Sequence, residues 1–251
     1  MSRTKRLPRE QLDPYLIEFT PEMGIVDLAT VFQNNHPIEI EVGCGKGLFL
    51  LRSALAQPET NFLGIELDRK YQMFVATRIA KRSLRNVRMA GADARIILAE
   101  RLPSESCSLI HAYFPDPWWK TKHRKRRLFT PEFVKACQRV LRPGGVLSIA
   151  TDVAEYFQVI VQMIATETAL VAKPMPQPEQ ASSENFSTNF ELKALLKGTV
   201  INRALYEKPL SSGGIQTGPA ASTQSPQPSC NEPLQGEESP RVTPGSGFLT
   251  D

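Results

Sequence analysis

Between about Pro37 and Gln158 short apolar runs alternate with amphipathic ones, and few folds accommodate that pattern. Ile38–Val42, Phe62–Leu67, Val87–Ala90, Leu109–Phe114 and Val146–Ala150 read as buried strands. Leu48–Ala56, Lys70–Ser83, Ala94–Arg101, Pro131–Leu141 and Ala154–Ala165 read as helices. Regular strand–helix alternation implies βαβ units, hence a mostly parallel, doubly wound α/β sheet with helices on both faces. Pro143-Gly144-Gly145 predicts a stop between a helix and a strand. Ligands of such sheets lie at the carboxyl ends of the strands. The chemically notable residues of that region fall where predicted strands end.

The 251 residues, 41% of them hydrophobic, suffice for one large domain or two small ones. Three segments are expected: a basic N-terminal segment and helix over 1–36, the α/β domain over 37–208, and a tail over 209–251. The tail is rich in Pro, Ser, Gly, Thr and Gln and is expected to be disordered, because it cannot bury enough apolar surface to offset its ordering entropy. Pro174, Pro176 and Pro178 mark a second, shorter break over Lys173–Ser187. No run is apolar enough to span a bilayer, and the basic N-terminus has no apolar region behind it. Cys44, Cys107, Cys137 and Cys230 form no CxxC pair, and with three His no zinc pattern is visible. Cys44 and Cys107 read as small buried thiols. A reducing, cytoplasmic protein without a metal is expected.

Glu41-Val-Gly43-Cys-Gly45-Lys-Gly47 ends the first of these strands and opens a helix. Its spacing is GxGxG. The dinucleotide fingerprint needs glycine at position 48, which is Leu48. An acid two residues before the first glycine further disfavours an anionic ligand and favours a cationic one. S-adenosylmethionine, with its ammonium and sulfonium, meets that requirement at Glu41, Gly43 and Gly45; a plain strand-to-helix turn is the alternative. The next strand ends in Gly64-Ile-Glu66-Leu-Asp68. Glu66 stands where carboxylates accept from ribose hydroxyls, and Asp68 reads as a helix N-cap. Asp93 is open to two roles, acceptor from an adenine amino group or N-cap.

The run from Phe114 to Arg127 carries the reacting chemistry. Asp116 stands between Pro115 and Pro117, which restrict its backbone and hold the carboxylate at a strand tip; a simple turn is the alternative. Trp118 and Trp119 offer faces on which an unstacked base can rest, or pack as part of the core or a lid. From Lys120 to Arg127 there are six Lys/Arg and no acid, while the whole chain is +4, so the remainder sums to about −2. The positive charge therefore reads as a local device suited to a polyphosphate backbone.

These residues resemble the tRNA (guanine-N7-)-methyltransferase family. The resemblance is carried by Glu41–Gly47, Gly64-Ile-Glu66, Phe114–Lys120 with Lys122–Arg127, Ala150-Thr-Asp152 and Thr188-Asn-Phe-Glu191, over roughly positions 37–208. It implies a Rossmann-like, seven-stranded methyltransferase sheet, S-adenosylmethionine as cofactor, and methylation of N7 of a guanosine in the variable region of tRNA. It also implies that Glu41, Glu66, Asp93 and Asp116 contact the cofactor, with Asp116 catalytic. Lys120, Asp152, Thr188, Asn189, Phe190 and Glu191 would bind substrate. Lys122, His123, Arg124, Lys125, Arg126 and Arg127 would contact RNA. Where the family commonly has Lys or Arg, this chain has Asn189. Thr188 and Glu191 also fit a capping box before a helix closed by Gly198, and Asp152 fits a cap of the helix near Ala154. Arg3, Lys5 and Arg6 can add to the RNA-facing charge. The sequence leaves a monomer or a homodimer open, and does not indicate whether a partner subunit is needed.

Other classes fit less well. An amino-methyltransferase acting on a nucleic-acid base places an Asp/Asn/Ser-Pro-Pro-aromatic tetrad at this strand tip, and the order Pro115-Asp116-Pro117-Trp118 matches it poorly. A non-catalytic RNA-binding module has no use for the acids and glycines of the first two of these strands. A small-molecule methyltransferase gives no reason for the basic run.

Overall fold

The computed structural model describes residues 6–20, 22–175 and 199–210, all within one compact unit. The expectations for Arg3, Lys5, Thr188–Glu191, Gly198 and residues 211–251 lie outside the described residues. The strands are β1 (Leu16–Ile17), β2 (Ile38–Val42), β3 (Asn61–Ile65), β4 (Val87–Ala90), β5 (Cys107–Tyr113), β6 (Leu141–Thr151), β7 (Val171–Lys173) and β8 (Asn202–Glu207). The helices are α1 (Leu28–Phe32), α2 (Leu48–Ala56), α3 (Arg69–Ala80), α4 (Ala94–Ile96), α5 (Pro131–Val140) and α6 (Ala154–Glu167).

The strands form one sheet in the order β1-β4-β3-β2-β5-β6-β8-β7. All pairings from β1 to β6 are parallel; β8 runs antiparallel to both β6 and β7. The sheet has eight strands rather than seven. The extra one is the two-residue β1, which adds an edge beside β4.

Successive residues of a strand face opposite sides, so neighbours such as Phe62 and Leu63 enter different cores. Leu63 joins Ile40, Ile110, Phe133 and Ile160 in the core that includes α5 and α6. Phe62 joins Leu50, Val75, Ile79 and Met89 in the core that includes α2 and α3. In α5, Thr130 caps the first turn through Phe133 N at 3.2 Å, Pro131 opens the helix, and Phe133, Val134, Ala136, Cys137 and Val140 form its buried face. Asp68 caps α3 through Lys70 N at 2.8 Å, as its residue type predicts.

Most expected boundaries shift by one to three residues, and two differ in kind. The helix expected over Ala94–Arg101 is α-helical only to Ile96 and continues as a π-turn over Ile97–Arg101. Pro143-Gly144-Gly145 is a bulge within β6 rather than a break before it. The β5–β6 register jumps from Cys107↔Leu141 to Leu109↔Val146, with Gly144 at φ +75°. The bulge remains tied to the sheet because Gly144 N donates to Lys208 O and Lys208 N to Gly145 O, both at 2.9 Å.

A buried polar chain stiffens the middle of the sheet. Glu39 Oε2 lies 2.8 Å from His111 Nε2, His111 Nδ1 2.9 Å from the Tyr113 hydroxyl, and that hydroxyl 3.0 Å from Ser148 Oγ. Phe49 packs on both rings. Cys44, Cys107 and Cys137 are free, buried thiols.

Candidate active site

From β2 the chain winds outward through β3 to β4, then returns to the other side of β2 as β5 and β6. The strand order therefore reverses between β2 and β5, the position at which such sheets open a ligand crevice. Ala90, Ile65, Val42, Ala112 and Ile149 lie in register across β4, β3, β2, β5 and β6. Asp93, Glu66, the glycines, Asp116 and Asp152 follow these positions closely in sequence and stand along one edge. Gly43 and Asp116 follow the adjacent strands β2 and β5.

The three glycines have different work. Gly43, Gly45 and Gly47 have φ of +70°, +52° and +64°, a region L-residues rarely adopt. A Cβ on Gly43 or Gly45 would meet nothing within 4 Å, so a ligand can approach that backbone. A Cβ on Gly47 would lie 2.7 Å from Val75 Cγ1 and 2.9 Å from Cγ2. Gly47 thus lets the loop close on α3. Gly47→Ala is expected to lower the unfolding free energy by about 2–4 kcal/mol, combining left-handed strain with overpacking. Denaturant melts of the two proteins check this; an unchanged midpoint contradicts it.

Glu66 is fixed by backbone donors. Its Oε2 accepts from Gly45 N at 2.7 Å and its Oε1 from Asp68 N at 2.9 Å. Each oxygen retains a second lone pair for another donor. Glu41 is the opposite case: it is 5% exposed and its Oε2 has no hydrogen-bond partner. Burial pushes its pKa up to about 8, with the Leu50 amide opposing and the Glu66 charge adding a little. A buried carboxylate with an orphaned oxygen is costly, and a cation beside it removes that cost. The residues present therefore fit a positively charged group over the glycine loop.

Asp93 takes the N-cap role and adds an ion pair of its own. It caps α4 through Arg95 N at 2.9 Å, and Arg95 Nη2 returns to its Oδ2 at 2.6 Å. The Arg95 guanidinium is the main cause holding this carboxyl below the usual range. Arg95 Nη1 also donates to Lys125 O at 2.9 Å, fastening the basic run to this end of the sheet. Asp152 is exposed and does not cap α6; Thr151 Oγ1 accepts from Val153 N instead, at 3.2 Å.

Asp116 opens onto a depression of about 430 Å³ lined with Pro117, Trp118, Trp119, Lys120 and His123. Its flanks are held in uncommon backbone conformations, Phe114 at φ 51° and Trp118 at φ 41°. Such residues cost about 1–3 kcal/mol each and persist only where their surroundings over-determine them. The surroundings are identifiable here. Phe114 N donates to Ala150 O at 2.7 Å, and Arg127 Nε donates to Pro117 O at 2.7 Å. The Arg127 guanidinium lies over the rings of Tyr156 at 5.0 Å and Trp119 at 5.6 Å. Arg127, expected among the RNA contacts, is a half-buried strut beneath the Asp116 turn, where a carbonyl and two aromatic faces engage it. Tyr156 is a further member of the site that the sequence does not reveal. Its hydroxyl pKa is raised by burial first and also by the Asp116 charge, so it lies within electrostatic reach of that acid. Nothing in the spacing of α6 signals this.

The basic run folds as a 3-10 turn over Thr121–Arg126. Trp118 is packed against His123, with ring centroids 5.6 Å apart, and under the Arg126 guanidinium at 5.2 Å. Trp119, 50% exposed, is the freer indole. Among the described residues no group of His, Cys, Asp and Glu could hold a metal ion, and no helix is long and apolar enough to cross a membrane.

The sheet order and the crevice at its switch point define a Rossmann-like methyltransferase fold. The 16S rRNA methyltransferase KamB shares it, with a TM-score of 0.55 at 14% identity over 74% of this chain and 96% of that one. The aminoglycoside resistance methyltransferase NpmB1 does so with a TM-score of 0.51 at 17% identity, covering 74% and 95%. Residues 35–204 match the family described as putative methyltransferase. The tRNA (guanine-N(7)-)-methyltransferase of Rhodopirellula baltica is 39% identical over 210 residues, 80% of this chain and 77% of that protein. The protein of the same description from Alkalilimnicola ehrlichii is 35% identical over 192 residues, 76% and 81%. The chain belongs to the tRNA (guanine-N7-)-methyltransferase family.

Proposed function

We propose that this protein transfers a methyl group from S-adenosylmethionine to N7 of a guanosine in the variable region of tRNA, in the cytoplasm. The observation that carries the reading is the juxtaposition at the switch point. An orphaned buried carboxylate lies in β2 and a proline-clamped acid just beyond the end of the adjacent β5, and the acid continues directly into a basic turn.

The bound cofactor supplies an electrophilic methyl on a positively charged sulfur. Glu41 and the backbone of Gly43 and Gly45 hold its cationic end, Glu66 accepts from the ribose hydroxyls, and Asp93 shares its carboxylate between Arg95 and the adenine amino group. Guanine N7 already carries an in-plane lone pair, so no proton has to leave before attack. The site needs alignment and charge control rather than a strong base. Asp116 grips the N–H donors of the guanine edge and stabilises the positive charge the ring gains. Lys120 meets a phosphate of the reacting nucleotide, Asp152 reaches the guanine edge, and Trp119 carries the exposed base. Lys122, His123, Arg124, Lys125 and Arg126 hold the RNA backbone.

Incubation with labelled S-adenosylmethionine and bulk unmodified tRNA, followed by nucleoside identification, tests the reading. 7-Methylguanosine is expected; an exocyclic methylamine or no transfer overturns it. Lys122→Gln with Lys125→Gln is expected to weaken tRNA binding about tenfold near 0.1 M salt and to lower the salt slope by about 2. An unchanged slope removes the basic turn from the interface.

A further inference from the structure

The basic turn is not the chain's only concentration of charge. Between Arg69 and Arg88 there are seven Lys/Arg and no Asp or Glu. The helical period places Lys70, Phe74 and Arg78 on one side of α3, and Lys81, Arg82 and Arg85 follow just beyond its end. The opposite side, with Met73, Val75, Ala76 and Ile79, is buried in the core. Lys70, Lys81, Arg82 and Arg85 are exposed.

These charges are uncompensated. Among the described residues none of the seven forms an ion pair; the adjoining acid, Asp68, is engaged as the N-cap of α3 through Lys70 N. Two cations of the stripe are instead aligned by carbonyls. Arg78 Nη1 donates to Lys46 O at 2.8 Å and Arg82 Nη1 to Arg78 O at 3.1 Å, and the Arg78 guanidinium lies over the Phe74 ring at 5.7 Å. The bond to Lys46 joins the stripe to the glycine loop, so it begins at the mouth of the proposed site. Burial and the neighbouring Arg82 charge both lower the Arg78 pKa, a cost that an anion on this face relieves.

We propose that the exposed face of α3 is a second tRNA-binding surface, taking phosphates of a stretch of the same RNA distant from the reacting guanosine. This deepens the proposed function and rests on it. A twelve-residue helix is about 18 Å long, so cations at its far end meet phosphates well away from the methylated nucleotide. The apolar side of α3 lies in the core, so it has no apolar face to insert into a lipid surface. A closely spaced row of unpaired cations fits a phosphate backbone.

The test is Lys81→Gln/Arg82→Gln/Arg85→Gln, with Lys81→Glu/Arg85→Glu as a stronger form. All three side chains are exposed and unpaired, so wild-type melting midpoints are expected. Binding of full-length tRNA, measured against salt, is expected to weaken about tenfold or more in the triple variant, with the slope lower by about 2–3. A short hairpin carrying only the variable region is expected to bind both proteins equally. Full-length binding and slope equal to wild type, or equal losses on hairpin and full-length RNA, would overturn the proposal. Binding requires no turnover, so it reports on this surface independently of whether the methylated atom is guanine N7.

Discussion

Asp116→Asn is expected to lower the single-turnover rate about 10²- to 10³-fold with cofactor and tRNA both saturating, the magnitude typical of losing one preorganised electrostatic contact to a transition state. The substitution keeps the shape of the side chain and removes its charge. The turn does not depend on that carboxylate: Pro115 and Pro117 restrict it, Arg127 holds Pro117 O, and Ala150 O holds Phe114 N. The loss should therefore appear in the chemical step, with tRNA affinity little changed. A wild-type rate in Asp116→Asn would mean that the acid neither grips guanine nor stabilises the developing charge.

Glu41→Gln is expected to act in opposite directions on the free and the liganded protein. The folded-state pKa is about 8 against an ordinary 4.5, so the folded protein holds a proton that the unfolded chain releases. The associated stability is fully present below pH 4.5 and is lost as pH rises toward 8, by about 1.4 kcal/mol for each pH unit between those two values. Gln cannot ionise. The free variant should therefore melt higher than wild type above pH 8, and the difference should fade toward pH 4.5. A cation over the glycine loop reverses the balance by making ionised Glu41 the favoured form. Cofactor binding to wild type near pH 7 should release most of a proton from this group, and Glu41→Gln should lose that release and bind about 10- to 100-fold more weakly. Calorimetry in buffers of different ionisation enthalpy measures both. Equal proton release in the two proteins would remove Glu41 from the cation site.

Much of this frame is legible in the sequence because its signals are local. Ile38–Val42 and Leu48–Ala56 flank the glycine loop, lie within Pro37 and Pro58, and carry their apolar residues at the expected spacing, so both have the extents the pattern predicts. The edge elements carry no such signal. Every residue of Val171–Lys173 is exposed, and in Asn202–Glu207 only Tyr206 is buried, so neither strand shows an alternating pattern. The five-residue α1 is shorter than a reliable helical period. The same division holds at the site. Glu41, Glu66 and Asp116 stand out by their place after apolar runs, whereas what surrounds them depends on contacts distant in sequence. The Arg127 bond to Pro117, the Tyr156 ring beneath it, and the Arg95 bridge from Asp93 to Lys125 leave no trace in spacing. A charge count likewise reads Lys120–Arg127 as one uniform RNA-facing block. It does not separate Arg127, which is turned to a carbonyl and two rings, from the exposed Lys122 and Lys125. The net charge outside that block also conceals the row along α3, because acids elsewhere in the chain cancel it in the sum but not in space.

Borohydride reduction and aniline treatment of a single unmodified tRNA, after incubation with S-adenosylmethionine and this protein, tests the central claim most directly, since only a ring methylated at N7 becomes cleavable. Scission at one guanosine of the variable region, present with wild type and abolished by Asp116→Ala, is the predicted result. An uncleaved strand that nonetheless carries the transferred methyl, or scission that survives the loss of Asp116, would contradict it.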